Sequence, residues 1–240
     1  MLEKSVTYND WVVNAVNEWA KEIQKMVYHE WLTIHASWKP GFKIFYGPVH
    51  EQPDLMIISL QPGGGEEIFI KEDRNRFENG DFSVPKENSY VTSTNRFGKK
   101  MQEFFKPRIS VLQEACIIPL IIFRAKSFKA WKEYDLHYIC ERFSYRILVE
   151  IISVRLRPKK MLFIGIETYK KYMKEFSHAY EKEKVVQYRR GGTESGSVIA
   201  FSTIVGDVPS FVVIHPTGGR ITTADWRNIS EKFFSWFDKR

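Results

Sequence analysis

Two loops of the chain carry residues that could do chemistry. The first, Gln-Pro-Gly-Gly-Gly at 61–65, follows the largely apolar run 55–60, and the second, His-Pro-Thr-Gly-Gly-Arg at 215–220, follows the apolar run 211–214. Consecutive glycines have little steric restriction, so their backbone amides can approach a ligand closely. From the residues alone, a flexible glycine linker explains the first loop equally well, and a histidine that caps the end of a strand explains the second better.

The hydrophobic pattern predicts the elements that position these loops. Apolar runs predict buried strands at 55–60, 115–118, 161–165 and 211–214, with helical periodicity between them. A short strand is expected at 43–46, and a β-hairpin from 185–188 and 198–204. The alternation favours an α/β fold, a three-layer α/β/α sandwich with a central, mostly parallel four-stranded sheet plus a β-hairpin. Parallel strands would bring both loops to one edge of the sheet.

Size and composition bound the class of protein. A chain of 240 residues with 43% hydrophobic content predicts a single domain over 1–240, with an N-terminal helical extension at about 8–38. The formal charge of +7 favours a polyanionic partner. Two cysteines are too few for a four-thiolate cluster or a zinc ribbon, so we expect no metal. With no leader sequence or membrane-length apolar run, a soluble, cytoplasmic protein is expected, and the long polar segment 66–94 suggests a lid.

Four segments of the chain together resemble the motifs of the uracil-DNA glycosylase superfamily. Members carry Gly-x-(Asp/Asn)-Pro-(Gly/Tyr) after an early strand and His-Pro-Ser with a wedge residue after a late one; the corresponding stretches here are Ser-Leu-Gln-Pro-Gly at 59–63 and His-Pro-Thr-Gly-Gly-Arg at 215–220. Asn-Arg-Phe at 95–97 is similar to the start of a helix in the mismatch-specific branch, with Gly98 in place of Trp. Cys-Ile-Ile-Pro at 116–119 is similar to a signature that commonly begins with Asn. The resemblance extends from about residue 45 to the C-terminus.

This resemblance implies a monofunctional DNA glycosylase that hydrolyses the N-glycosidic bond of a flipped-out base, without a cofactor. The protein would be a monomer whose partner is DNA, in base-excision repair or antiviral defence. His215 would donate a hydrogen bond to the leaving base while neutral, provided that its other ring nitrogen is held by a backbone acceptor. Gln61 would orient water through its carbonyl oxygen, because a carboxamide cannot serve as a general base.

The resemblance also implies residues that contact the base. Tyr90 lies five residues before Asn95, where the mismatch-specific branch has its base-stacking phenylalanine, and Phe82 is the rival for this role. Cys116 stands where uracil-specific members read the base with an asparagine. Because a thiol cannot reproduce the donor and acceptor of that amide, the expected substrate is a damaged or modified base, with modified viral pyrimidines as one class.

Contacts to the DNA backbone follow from the same motifs. The expected DNA-binding residues are Gly63, Gly64, Arg124, Lys126, Thr217, Gly218, Gly219 and the wedge candidate Arg220. Two other functions stay open. One is a DNA-binding protein on a glycosylase fold that does not cut, favoured by Gln61 and Cys116. The other is an unrelated α/β hydrolase or transferase, which lacks support because neither a Gly-x-Ser-x-Gly elbow nor a metal-binding cluster is present.

Overall fold

The computed structural model describes residues 8–176, 186–193, 195–217 and 221–239. Its strands are β1 Met56–Ser59, β2 Cys116–Pro119, β3 Met161–Ile164, β4 Val186–Arg189, β5 Val198–Val205 and β6 Val208–Val213. They form one sheet in the order β2-β1-β3-β6-β5-β4, in which β2, β1, β3 and β6 are parallel and the β5 and β4 strands are antiparallel to their neighbours. The prediction of an α/β fold with a mostly parallel sheet is therefore confirmed.

Helices connect the strands. The α-helices are α1 Tyr8–Ile34, α2 Glu66–Phe69, α3 Asn75–Glu78, α4 Ser89–Thr92, α5 Arg96–Phe105, α6 Ile109–Glu114, α7 Phe128–Lys132, α8 His137–Val149, α9 Ile166–Phe176 and α10 Thr223–Phe237. Two π-helical turns, Ile70–Arg74 and Glu150–Leu156, continue α2 into α3 and extend α8. Among the described residues, no helix is both long and apolar enough to cross a membrane.

The sheet is covered on both faces, which explains its continuous apolar strands. Every residue of β1, β2 and β3 is buried. Along β1, Met56 and Ile58 join one hydrophobic cluster with residues of α1, α8 and α9. Ile57 belongs to a second cluster with residues of α5, α6 and α10. Because successive side chains of a strand point to opposite faces, a strand between two helical layers must be apolar throughout.

The hairpin belongs to the main sheet, whereas the sequence suggested an addition to a four-stranded one. β5 pairs with β6 over six positions, from Ala200↔Val213 to Val205↔Val208, and β4 then pairs with β5. The alternating pattern of a hairpin predicts its two strands but not the neighbour that the hairpin joins. The sheet therefore has six strands.

The strand expected at 43–46 does not form. Phe42 makes an isolated bridge to Phe123, and the backbone amides of Lys43 and Tyr46 donate to Ile122 O at 2.8 Å and to Ile117 O at 3.1 Å. This segment thus runs beside β2 without a regular ladder. It covers the open edge of β2, where unpaired backbone groups would otherwise be exposed.

Residues 66–78 are helical and anchored, so the expected lid does not include them. Backbone angles stay right-handed helical through the joints of α2, the π turn and α3. Phe69 and Phe77 are buried, and their rings lie 5.0 Å from Trp31 and 5.2 Å from Phe42. Most charges of this segment lie on the outer side of the helix, and Asp73 is buried, so composition alone suggested a loop.

A buried carboxylate joins α7, α8 and α9. The side chain of Glu141 is 8% exposed, and it accepts hydrogen bonds from Trp131 Nε1 at 2.9 Å, Lys132 Nζ at 3.1 Å and Lys171 Nζ at 2.7 Å. Burial alone would raise the pKa of Glu141, but the hydrogen bonds from Lys171 and Trp131 and the charge of Lys171 outweigh it and lower the pKa. The ionised carboxylate therefore stabilises the fold at neutral pH.

Replacing Glu141 with Gln should lower the free energy of unfolding at pH 7 by roughly 1–3 kcal/mol, because Lys132 and Lys171 would lose the negative charge that compensates them and would face an amide with only one acceptor oxygen. A carboxylate whose pKa is lowered in the folded state stabilises the fold above its unfolded pKa of about 4.3, and this stabilisation is lost as the pH falls through the folded pKa. The difference between E141Q and wild type in urea unfolding should therefore shrink below about pH 4. Glu133→Gln, at an exposed ion pair, is the control and should change stability by less than about 0.5 kcal/mol. A pH-independent difference would contradict the assignment.

Candidate active site at the carboxyl edge of the sheet

The two loops lie on the same edge of the sheet. The connection after β1 leads to β2 on one side of the sheet, and the connection after β3 leads to β4, β5 and β6 on the other side. Ligands of open α/β sheets bind at such a reversal, outside the carboxyl ends of the strands. The register aligns Ile58 with Phe163 and Phe163 with Val212. Gln61 lies three residues after Ile58, and His215 lies three residues after Val212. Both residues therefore follow their strands at the same level of the sheet. Their strands are two spacings apart, about 10 Å.

The glycine loop is held by backbone hydrogen bonds and is not a flexible linker. Leu120 N donates to Ser59 O at 2.7 Å, and Ala125 N donates to Pro62 O at 3.1 Å, so β1 and the segment after β2 stay paired beyond the strands. Gly64 has a φ of +97°, and a Cβ there would lie 2.9 Å from a side-chain atom of α2. Only glycine fits this turn without strain.

Gln61 is fixed at one end of its amide. The side chain is half-buried, and Nε2 donates to the backbone carbonyl of Phe123 at 2.9 Å. This hydrogen bond assigns the nitrogen to the side of the β2 segment and leaves Oε1 as the acceptor that faces elsewhere. Gln61 therefore has the acceptor that a water-orienting residue needs.

The ring of His215 is held by the residue two positions later. The Thr217 backbone N–H donates to Nδ1 at 3.3 Å, and Thr217 Oγ1 lies 3.1 Å from the same nitrogen. The resemblance implies a backbone acceptor at this nitrogen, whereas the structure has a backbone donor. Because an amide can only donate, Nδ1 is unprotonated and the proton of the neutral ring sits on Nε2. Burial lowers the pKa of His215, which favours this neutral form.

Phe97 lies beside His215, a position in the site that its sequence motif does not predict. The two ring centroids are 5.4 Å apart, and Phe97 is only partly buried. Asn95 caps α5 by accepting from Gly98 N at 2.7 Å, which places Phe97 in the first turn at this edge. A Cβ on Gly98 would lie 2.3 Å from that of Ser93, so a tryptophan could not replace this glycine. The Asn cap was the feature that could have located Phe97.

Tyr90 is packed inside the wall of the site. It is 7% exposed, and its ring lies 5.0 Å from both Tyr46 and Phe97. Burial raises the pKa of Tyr90, against hydrogen-bonding contributions from Ser59 and Tyr46. The Ser59 hydroxyl does not reach full hydrogen-bond geometry, so it has no partner among the described residues. Tyr90 therefore does not present an open face to a base, whereas the partly exposed Phe97 does.

Cys116 lies at the other end of its strand. It is the first residue of β2 and pairs with Met56, the first residue of β1, so about 10 Å of strand separates it from the carboxyl edge. Cys116 is fully buried, and burial raises the pKa of its thiol to about 12. The assignment of Cys116 to the base site is therefore wrong. The motif at 116–119 aligned the first residue of β2 with a position of the site, but the site lies at the other end of this strand.

Phe82 is also remote from His215. Its ring stacks on Phe77 at 5.4 Å and lies 5.7 Å from Tyr28 on α1, while its backbone carbonyl accepts from Gln24 at 2.6 Å. It packs beneath the first helix, so the structure does not bring it to the base site.

Arg124 stabilises the glycine loop and is not free to bind phosphate. The residue is 3% exposed, Nη1 donates to Gly63 O at 2.8 Å, and Nη2 donates to Glu72 and lies 3.4 Å from Asp73. Lys43 bonds to the same two carboxylates at 3.1 and 3.4 Å. The expected phosphate contact of Arg124 is therefore corrected: its charge is compensated inside the protein.

The remaining expected DNA contacts divide into three groups. Lys126 is exposed and forms no ion pair with any described residue, and Gly63 is open, since a Cβ there would meet nothing within 4 Å. Gly64 and Thr217 are half-buried at the same edge. Gly218, Gly219 and Arg220 lie outside the described residues. Within the described part of the chain, no group of three or more His, Cys, Asp or Glu side chains could hold a metal ion.

Comparison with known proteins finds no matching family model and no similar curated protein. The functional assignment therefore depends on the geometry of this edge.

The neutral Nε2–H form of His215 can be tested directly. Nitrogen NMR of labelled protein should show Nδ1 unprotonated at pH 7, and titration should give a pKa below 6.5, because burial disfavours the cation. Since protonation costs more in the folded state, the His215 contribution to stability should fall as the pH drops through the folded pKa. Thr217→Val removes the hydroxyl but keeps the backbone donor, and should preserve the tautomer. A proton on Nδ1 would contradict the structure.

Substitutions of Arg124 and Lys126 should have different effects on stability and on binding. Arg124→Gln should lower the free energy of unfolding by about 3 kcal/mol, because it breaks a buried ion pair. This value is at the lower end of the range for such pairs, since the side chain of Glu72 is 42% exposed. Lys126→Gln should change stability by less than about 0.5 kcal/mol. With DNA, the partner that the sequence resemblance implies, this variant should also reduce the salt dependence of binding by about one unit of slope. Denaturant unfolding and binding titrations measure both quantities. The reverse pattern would mean that Arg124 is available to phosphate.

Proposed function

We propose that the protein is a DNA glycosylase that hydrolyses the N-glycosidic bond of a damaged or modified base extruded from DNA, on a three-layer α/β/α domain. The observation that carries the proposal is the arrangement of His215: a partly buried, neutral imidazole whose Nε2–H has no hydrogen-bond partner among the described residues, next to an aromatic face and level with a fixed Gln61 acceptor. The motif resemblance and the basic charge of the chain support the same class.

The leaving base is the first requirement of this reaction. As the bond between C1′ and the base nitrogen breaks, its electron pair stays on the base, and negative charge develops there. A neutral N–H donor at His215 can stabilise this charge without first losing a proton. The low-polarity wall of Phe97 and Tyr90 strengthens such a hydrogen bond relative to water.

The attacking water is the second requirement. Its oxygen bonds to C1′, and its proton passes to solvent or to the departing base. Gln61 Oε1 can accept one hydrogen of this water and so aim its oxygen, but a carboxamide cannot take the proton away. Glu66 pairs with Arg74 at 3.6 Å, so it does not supply a free carboxylate here. The reaction therefore relies on stabilising the leaving base more than on activating water.

The position of Cys116 does not restrict the substrate class. Because that thiol lies at the opposite edge, it no longer supports an enlarged base, and the proposed class covers deaminated and chemically modified bases alike. Phe97 is the aromatic face for a base to stack on, in place of Tyr90.

The same surface also suits a protein that binds DNA without cutting it. The feature that favours this second function is Gln61, since it cannot act as a base. The two functions differ only in whether an abasic product forms.

Purified protein should therefore generate alkali-labile abasic sites in oligonucleotides carrying uracil or in modified phage DNA. His215→Ala should lower the single-turnover rate at least about 100-fold with little change in DNA affinity, since the donor acts mainly in the transition state. Phe82→Leu, beneath α1 and away from this edge, is the control and should retain activity. Binding without any abasic product, unaffected by His215→Ala, would establish the non-catalytic function and reject hydrolysis.

A further inference from the structure

We propose that Arg96 and Lys99, on the exposed side of α5, bind a backbone phosphate of the DNA strand next to the extruded nucleotide. With Thr94 they line an open cleft of about 440 Å³, together with Lys100 and Glu103. We call Thr94, Arg96 and Lys99 the α5 cradle. The inference depends on the DNA partner of the proposed function and extends it with a surface that the sequence motifs do not assign.

The charged side chains of the cleft differ in whether they are already paired within the protein. Lys100 Nζ pairs with Glu103 at 2.7 Å, so those two charges compensate each other. Arg96 and Lys99 are exposed, and neither forms an ion pair with any described residue. Two free cations three residues apart lie on one side of a helix, so both can face the same anion. A phosphate accepts paired hydrogen bonds from a guanidinium and also attracts an ammonium.

The cradle lies next to the catalytic edge. Arg96 and Phe97 are adjacent residues in the first turn of α5, and Phe97 touches the ring of His215 at 5.4 Å between centroids. A base that stacks at Phe97 and reaches His215 would leave its own backbone within the reach of a long arginine side chain. Thr94 adds a hydroxyl, a common phosphate ligand, at the start of the helix.

The helix that carries the cradle is fixed before DNA arrives. Asn95 caps its first turn, and Trp226 Nε1 donates to Lys100 O at 2.9 Å, which ties the helix to α10. Met101, Phe104 and Phe105 bury the opposite side. The two cations are therefore held on a rigid element, which lowers the entropy lost when they bind a phosphate. A merely solvated basic face could lie on the same rigid helix, so the two possibilities are distinguished by measuring DNA binding.

The test measures DNA affinity against salt, using a short duplex with one central tetrahydrofuran abasic analogue, between about 50 and 200 mM salt. The double variant R96Q/K99Q should make the dependence of log affinity on log salt less steep by about 0.9, corresponding to the one phosphate that the two side chains neutralise. Lys106→Gln is the matched control: this lysine is exposed at the far end of the same helix, about 15 Å from Arg96 along the axis. It should leave the slope unchanged. Circular dichroism should show both variants folded.

Each outcome bears separately on the two proposals. A slope that R96Q/K99Q leaves unchanged, or that K106Q lowers equally, overturns the α5 cradle even if the protein excises bases. A loss of slope confined to R96Q/K99Q in a protein that yields no abasic product supports the cradle and rejects hydrolysis. A wild-type protein without salt-dependent binding to this duplex overturns the cradle.

Discussion

The parallel register of β1, β3 and β6 is the constraint on which the site depends. Ile58, Phe163 and Val212 lie in one row across three strands, so the loops that follow these strands begin at the same height. A shift of one residue would turn every side chain of a strand to the other face and would disrupt both hydrophobic clusters. The packing that stabilises the sheet therefore also sets Gln61 and His215 level. Their relation is imposed by the core and needs no direct contact between them.

Buried charges also position the site, because they hold the glycine loop in place. Arg124 connects the glycine loop to Glu72 and Asp73, which lie in the π-helical turn after α2. Because a buried guanidinium is stable only when all its charge is matched, this network holds the loop, and the segment that carries the Phe123 carbonyl, in one arrangement. The Phe123 carbonyl in turn fixes the amide of Gln61. The orientation of a half-buried polar group thus depends on an ion network that it does not touch.

The hydrophobic pattern of the sequence predicted the buried strands. It did not predict the features that depend on tertiary contacts. Four apolar runs located the strands of the parallel sheet, since strands buried on both faces must be apolar throughout. Nothing local indicated that β5 would join β6, or that the charged stretch 66–78 would pack Phe69 and Phe77 as a helix. Arg124 and Cys116 were misplaced for a related reason: residue type suggests a role, but burial and the end of the strand determine whether the role is possible.

Burial is the cause of the pKa shift of His215, and no carboxylate among the described residues contributes to it, which is consistent with the proposed chemistry. A nearby anion would raise the pKa of the imidazole and favour the cation, whereas burial next to Phe97 lowers it. DNA phosphates would act as such anions when the strand binds. Cations at Arg96 and Lys99 would compensate the nearest phosphate and so limit this effect. The α5 cradle would then have two roles: it anchors the strand, and it keeps the His215 ring neutral, with its Nε2–H donor, when the base leaves.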